Sequence, residues 1–150
     1  MGNTAELQKI VNEFEKTGVN ANVFVTANKK RVKTNLPFSI VFTSVVRMLA
    51  KEHNFSKTDY DVLFCIADQM SIGNSMGITQ QAIANELGIN RVQVTRCFTK
   101  FRKIGLIIKD DNGYEYINPF CISKGTLEKF KNNDELYSLA QQMNLGDTPF

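Results

Sequence analysis

The stretch Ile78-Thr79-Gln80-Gln81-Ala82-Ile83-Ala84-Asn85-Glu86-Leu87-Gly88-Ile89-Asn90-Arg91 decides how the rest of the chain is read. Thr79 is placed to cap a short helix over Gln80 to Leu87, because its hydroxyl can accept from backbone N–H groups that have no partner in the first turn. Gly88 stands where a helix closes with a left-handed residue, a conformation that side chains with a Cβ resist. Ile89 is apolar, and Asn90 caps the next helix, expected over about 91–103. Val94, Phe98 and Phe101 recur at helical spacing, with Cys97 beside them, and mark its inward face. Ala84 is small, as a close crossing of two helices requires.

Downstream, Ile104-Gly105-Leu106-Ile107-Ile108 turns from helix into strand. Asp110-Asp111-Asn112-Gly113 is a hairpin turn, and Tyr114-Glu115-Tyr116-Ile117 returns. Upstream, residues 43–53 form one helix. Ser56 caps another, with Asp59 at the favourable third position and a buried stripe of Leu63, Ile66, Ala67 and Met70. It ends at the turn Ser71-Ile72-Gly73-Asn74. The expected fold is mainly α with a small β wing: a winged helix-turn-helix with flanking helices at both ends. Residues 1–35 are an N-terminal helix and β extension, 36–125 the winged domain, and 126–150 a C-terminal helical tail.

Charge gives this fold a use. The whole chain carries a net charge of +3, yet Arg91, Arg96, Lys100, Arg102, Lys103 and Lys109 fall within residues 90–109 with no acid among them. The remainder is therefore net acidic. A basic block in an otherwise slightly acidic chain marks a local face for a polyanion. The second helix projects its N-terminal half into a DNA major groove in this architecture. Its outward residues are Arg91, Gln93, Thr95, Arg96, Thr99 and Lys100. Arg grips guanine by two hydrogen bonds and Gln grips adenine likewise, so Gln93 and Arg96 are the leading candidates for base readers, with Arg91 beside them. Thr79, Gln80 and Thr95 are candidates for phosphate, helped by the positive end of the first helix. Lys100, Lys109 and Asn112 are candidates for backbone or minor-groove contacts from the helix end and the wing.

Other classes fall away on the same residues. The 150 residues, 43% hydrophobic and 22% charged, suffice for one folded core and exclude a disordered or fibrous chain. No apolar run approaches the ~20 residues of a membrane span. The N-terminus has no basic-then-apolar signal, and Glu6 stands where a myristoylation motif needs Ser or Thr. Cys65, Cys97 and Cys121 are an odd, dispersed set, expected as reduced core thiols in a cytoplasmic protein. With a single His53 and no CxxC or HxxxH spacing, no zinc site is expected. No GxxxxGK[ST] loop or Ser-His-Asp grouping occurs, and Asp59, Asp61 and Asp68 lie on one helix as cap and solvated face. The chain is expected to be a binder without cofactor, metal or catalytic residues.

The residues that flank the motif carry a resemblance. Phe38-Ser39-Ile40-Val41-Phe42 is a short strand that enters a helix, and Gly73-Asn74 precedes the motif. Tyr116-Ile117-Asn118-Pro119 closes the wing and Lys124-Gly125 follows. Together with Ile78 to Ile89, this resembles the plasmid replication protein RepL family over about residues 37–125. The resemblance implies a DNA-binding initiator that recognises a plasmid or phage origin and recruits host replication proteins. The alternative is a winged-helix transcriptional regulator, a repressor with a MarR- or Crp-like reading head. Two stripes remain to be placed. Leu7, Ile10, Val11 and Phe14 lie on a helix over 4–17, and Leu136, Leu139, Ala140 and Met143 on the tail. Packing within one chain and packing in a homodimer both fit them. Residues 22–33 read as a strand or hairpin whose Lys29-Lys30-Arg31-Lys33 cluster is either a phosphate contact or a solvated loop.

Overall fold

The computed structural model describes residues 38–125 and 127–143, with Ala5, Gln8, Lys9, Asn12, Glu13, Lys16, Leu36 and Pro149. The chain divides into two compact units, Met1–Thr34 and Asn35–Phe150. In the first, the six residues from Ala5 to Lys16 are helical and exposed. Their spacing is the polar face of the helix expected over 4–17. Its apolar stripe, and the strand or hairpin expected over 22–33 with its Lys29-Lys30-Arg31-Lys33 cluster, lie outside the described residues.

The second unit opens with β1 (Ile40–Val41), followed by α1 (Thr43–Glu52) and α2 (Lys57–Gln69). The motif itself is α3 (Gln80–Leu87) and α4 (Arg91–Lys103). The wing is β2 (Ile107–Lys109) and β3 (Glu115–Ile117). Then come β4 (Ile122–Ser123), α5 (Leu127–Lys131) and α6 (Asp134–Ala140). The unit is mainly helical with a small antiparallel wing, a winged helix-turn-helix.

Local chemistry starts and stops these helices as the spacing requires. Ser56 Oγ accepts from the Asp59 N–H at 3.2 Å, and Asp59 Oδ2 accepts from the Ser56 N–H at 2.8 Å, a reciprocal box that closes the first turn of α2. Thr79 Oγ1 accepts from the Ala82 N–H at 3.2 Å. Gly88 has φ +64°, and the chain leaves α3 through it. The inward faces then meet. Leu63 and Ile66 of α2, Ile83 and Ala84 of α3, and Val94, Phe98 and Phe101 of α4 share one core with Leu106, Ile107 and Ile117 of the wing. Ile83, Val94 and Phe101 are fully enclosed.

The wing has a third member. Ser75 bridges Tyr116, and the Met76 N–H donates to the Glu115 carbonyl at 3.0 Å, so residues 74–76 run antiparallel to β3. Asn74 locks this edge. It is fully buried, with φ +68°. Its Nδ2 donates to the carbonyls of Ile117 at 2.8 Å and Ile122 at 2.6 Å, and its Oδ1 accepts from the Lys124 N–H at 2.7 Å. Lys124 in turn donates from Nζ to the Asp68 carbonyl at 2.6 Å, at the C-terminal end of α2 where a cation suits the helix dipole. Gly125 has φ +134°, and a Cβ there would stand 3.2 Å from Ile72 Cγ2. Asn74 and Lys124 thus form the brace that holds the wing to α2.

β1 pairs antiparallel with β4, Ile40 opposite Ser123 and Val41 opposite Ile122. The tail is folded onto the wing side of its own domain. Leu136 and Ala140 pack with Ile108, Phe120 and Phe130, and Met143 joins the main core. Asn118 fixes the junction, donating from Nδ2 to the carbonyls of Gly105 at 2.9 Å and Ala140 at 3.1 Å.

Candidate nucleic-acid interface

α4 begins at Asn90, whose Oδ1 accepts from the Val92 N–H at 2.8 Å. The Asn90 N–H donates to Gln93 Oε1 at 3.1 Å. One end of the Gln93 amide therefore serves the helix cap. A two-bond grip on adenine, expected of Gln93, would require that bond to break. Thr95 is similarly engaged. Its hydroxyl lies within donating distance of Gln80 Oε1, at 2.8 Å, and of the Arg91 carbonyl, at 3.0 Å. Gln80 and Thr95 thereby clasp the start of α3 to α4 and set the angle at which α4 is offered. Thr99 donates to the Thr95 carbonyl at 3.0 Å.

The basic block divides into two kinds of residue. Arg91, Arg96, Lys103 and Lys109 are exposed and make no ion pair among the described residues. Lys100 and Arg102 do. Lys100 Nζ lies 2.6 Å from Asp59 Oδ2, a carboxylate only 4% exposed, and 5.7 Å from the centre of the Phe55 ring. Arg102 lies over the Phe98 ring and forks onto Glu115, Nε to Oε1 at 2.6 Å and Nη2 to Oε2 at 3.1 Å. The block carries no acid in sequence, but the fold brings two acids to it. Lys100, expected to face phosphate, holds α4 to α2, and Arg102 holds α4 to the wing.

Asp59 titrates accordingly. Burial pushes its carboxyl up, but hydrogen bonds from Lys100, the Ser56 backbone, Cys97 and the Ser56 hydroxyl outweigh burial and hold its pKa below the ordinary carboxylate value. The three thiols go the other way. Burial is the main cause for all of them, pushing Cys65 up to about 11 and Cys97 and Cys121 to about 12.

The wing tip carries mixed charge. Lys109 and Asn112 are exposed, as a contact role requires. Asp110 and Asp111 stand between them, and the Asp111 N–H donates to Glu135 Oε1 of α6 at 3.3 Å. These carboxylates oppose phosphate, so the attraction is concentrated on α4, around Arg91 and Arg96. Thr79 is exposed at the N-terminal end of α3, where a backbone phosphate would meet the helix dipole.

One residue of this face was not among the outward candidates. Val92 is 54% exposed, second in α4, between Arg91 and the cap partner Gln93. The signal was available: Val92 is two positions from the fully buried Val94, which on a helix places it on the opposite side.

Among the described residues no group of His, Cys, Asp and Glu is placed to hold a metal ion, and no helix is long and apolar enough to cross a membrane. No curated protein and no solved structure matches the chain. Residues 61–119, from α2 through the wing, match the family described as the Crp-like helix-turn-helix domain. With the geometry of α3, α4 and the wing, that similarity makes this chain a winged helix-turn-helix protein that binds DNA.

Proposed function

We propose that the chain is a sequence-specific reader of duplex DNA and that it acts as a replication initiator at a plasmid or phage origin. The observation that carries the reading role is the pair Arg91 and Arg96, exposed and unpaired among the described residues on the N-terminal half of α4. Guanidinium groups so placed match the O6 and N7 acceptors of guanine in the major groove. Around them Lys103 and Lys109 supply charge for phosphates, and the clasp of Gln80 to Thr95 fixes the docking angle. In this reading the chain recruits host replication proteins and performs no chemistry itself. A homodimer would place two such heads on half-sites one helical turn apart. Buried, reduced thiols suit the cytoplasm.

The initiator role draws on the resemblance to the RepL family. A transcriptional regulator is the second reading, favoured by the similarity of residues 61–119 to the Crp-like domain. Selection of bound sites from a random duplex pool tests the shared part, and enrichment of no sequence would refute it. Supplying the chain in trans to a plasmid that carries the selected sites but no initiator separates the two roles. Plasmid maintenance supports initiation. Loss of reporter transcription without maintenance supports regulation.

A further inference from the structure

We propose that Val92 is a specificity-determining residue that reads the C5-methyl group of a thymine next to the guanines met by Arg91 and Arg96. The inference rests on the DNA-reading role above and names what part of the α4 face recognises.

Three observations leave few groups on that face free to read bases. Gln93 Oε1 is held by the Asn90 N–H. The Thr95 hydroxyl proton is directed to Gln80 Oε1 or to the Arg91 carbonyl, and that of Thr99 to the Thr95 carbonyl. Lys100 is held by Asp59. Besides Gln93 Nε2 and the Thr95 methyl group, the side-chain groups left uncommitted on the first turns of α4, among the described residues, are two guanidiniums and one isopropyl group. Spacing places Val92 and Arg96 one turn apart as direct neighbours, with Arg91 and Thr95 as the adjoining pair on the same exposed half of α4.

Each group has a distinct match in the major groove. The guanidiniums match guanine. Pressed against the polar edge of adenine, cytosine or guanine, the isopropyl group would strip water from acceptors or donors and return no hydrogen bond. The thymine methyl is the apolar feature it can cover at a gain. Valine is also β-branched and stiff at χ1, so little rotamer freedom is lost when it is buried. The structure gives Val92 no inward role to compete with this one, since it is more than half exposed.

The test uses the full chain and the duplex enriched from a random pool. Each thymine of that duplex is replaced in turn by deoxyuridine, which removes only the methyl group, and affinity is read by fluorescence anisotropy. At one position wild-type protein should lose about fourfold, the value of one buried methyl group. The same replacement should cost Val92→Ala nothing further, and Val92→Ala should melt at the wild-type temperature. Silence at every thymine, or an equal loss in wild type and Val92→Ala, would overturn the inference while leaving sequence-specific binding intact. Failure to enrich any duplex would instead remove the reading role on which it stands.

Discussion

Lys100 Nζ stands 2.6 Å from Asp59 Oδ2, and this contact ties the C-terminal half of α4 to the capping box of α2. A basic side chain on the helix proposed to read DNA thus holds that helix in place. Replacing it with Met keeps the aliphatic stem but leaves the enclosed carboxylate short of a partner. Lys100→Met should lower unfolding stability by about 1–3 kcal/mol. Its effect on duplex affinity should be smaller than that of Arg96→Ala. Urea denaturation and anisotropy check the two parts, and a stable variant with lost binding would return Lys100 to the phosphate contacts.

The same pair sets a pH dependence. The folded pKa of Asp59 lies below its ordinary value. The unfolded state therefore takes up the proton first as pH falls. The stability that Asp59 contributes is complete above about pH 4, the usual carboxylate pKa, and is lost as pH drops through the folded value. Lys100→Met removes the strongest of the lowering hydrogen bonds, so its acid unfolding midpoint should move to higher pH. Circular dichroism between neutral pH and pH 2 would show the shift, and coincident curves would contradict it.

Most of the helical frame was legible because its determinants are local. Ser56 with Asp59, Thr79, Gly88 and Asn90 act within a turn of themselves, and Leu63, Val94 and Phe101 declare their face by spacing. Pairings across long stretches of chain were not legible. Lys100 meets a residue 41 positions away, and nothing in the run of cations near it announces an acid. Arg102 with Glu115 and the edge at Ser75 and Met76 are hidden for the same reason. Gln93 has two uses legible from its type and place: one amide suits both adenine and a capping box three residues after Asn90, and the Asn90 N–H at 3.1 Å shows the second engaged.

Asn74 should be among the least replaceable residues outside the reading helix. Asn74→Ala would strand two buried carbonyls and the Lys124 N–H. It would also place a Cβ-bearing residue without a polar side chain at φ +68°. Asn74→Gly loses the same hydrogen bonds but tolerates that angle. Both should cost more than about 2 kcal/mol. Alanine should be the worse by about 1 kcal/mol. Thermal melts of the two variants measure the difference, and an order reversed from this would mean that the angle is not held in solution.

The three cysteines should be silent in the folded chain. Cys65, Cys97 and Cys121 are all buried, and pKa values of about 11, 12 and 12 leave almost no thiolate at pH 8. A disulfide reagent such as dithionitrobenzoate should react with none of them until denaturant opens the core, and then with all three. Rapid reaction of one thiol in native protein would show that its cover opens locally.

Arginines on the two sides of α4 should fail in different ways. Arg96 is exposed and unpaired among the described residues, so Arg96→Ala should leave the melting temperature unchanged. It should weaken binding to the selected duplex by about 1–3 kcal/mol and relax preference at one base pair. Arg102 is tied to Glu115 and stacked on Phe98, so Arg102→Ala should loosen the wing and lower stability first. Salt separates them further. Removing a phosphate contact lowers the slope of log affinity against log salt by about 0.9 per charge. Arg102, turned toward Glu115, should leave that slope as it is, and Lys103→Ala should reduce it. If Arg102→Ala lowered the slope as much as Lys103→Ala does, Glu115 would have to release its partner when DNA binds, and the wing would move with it.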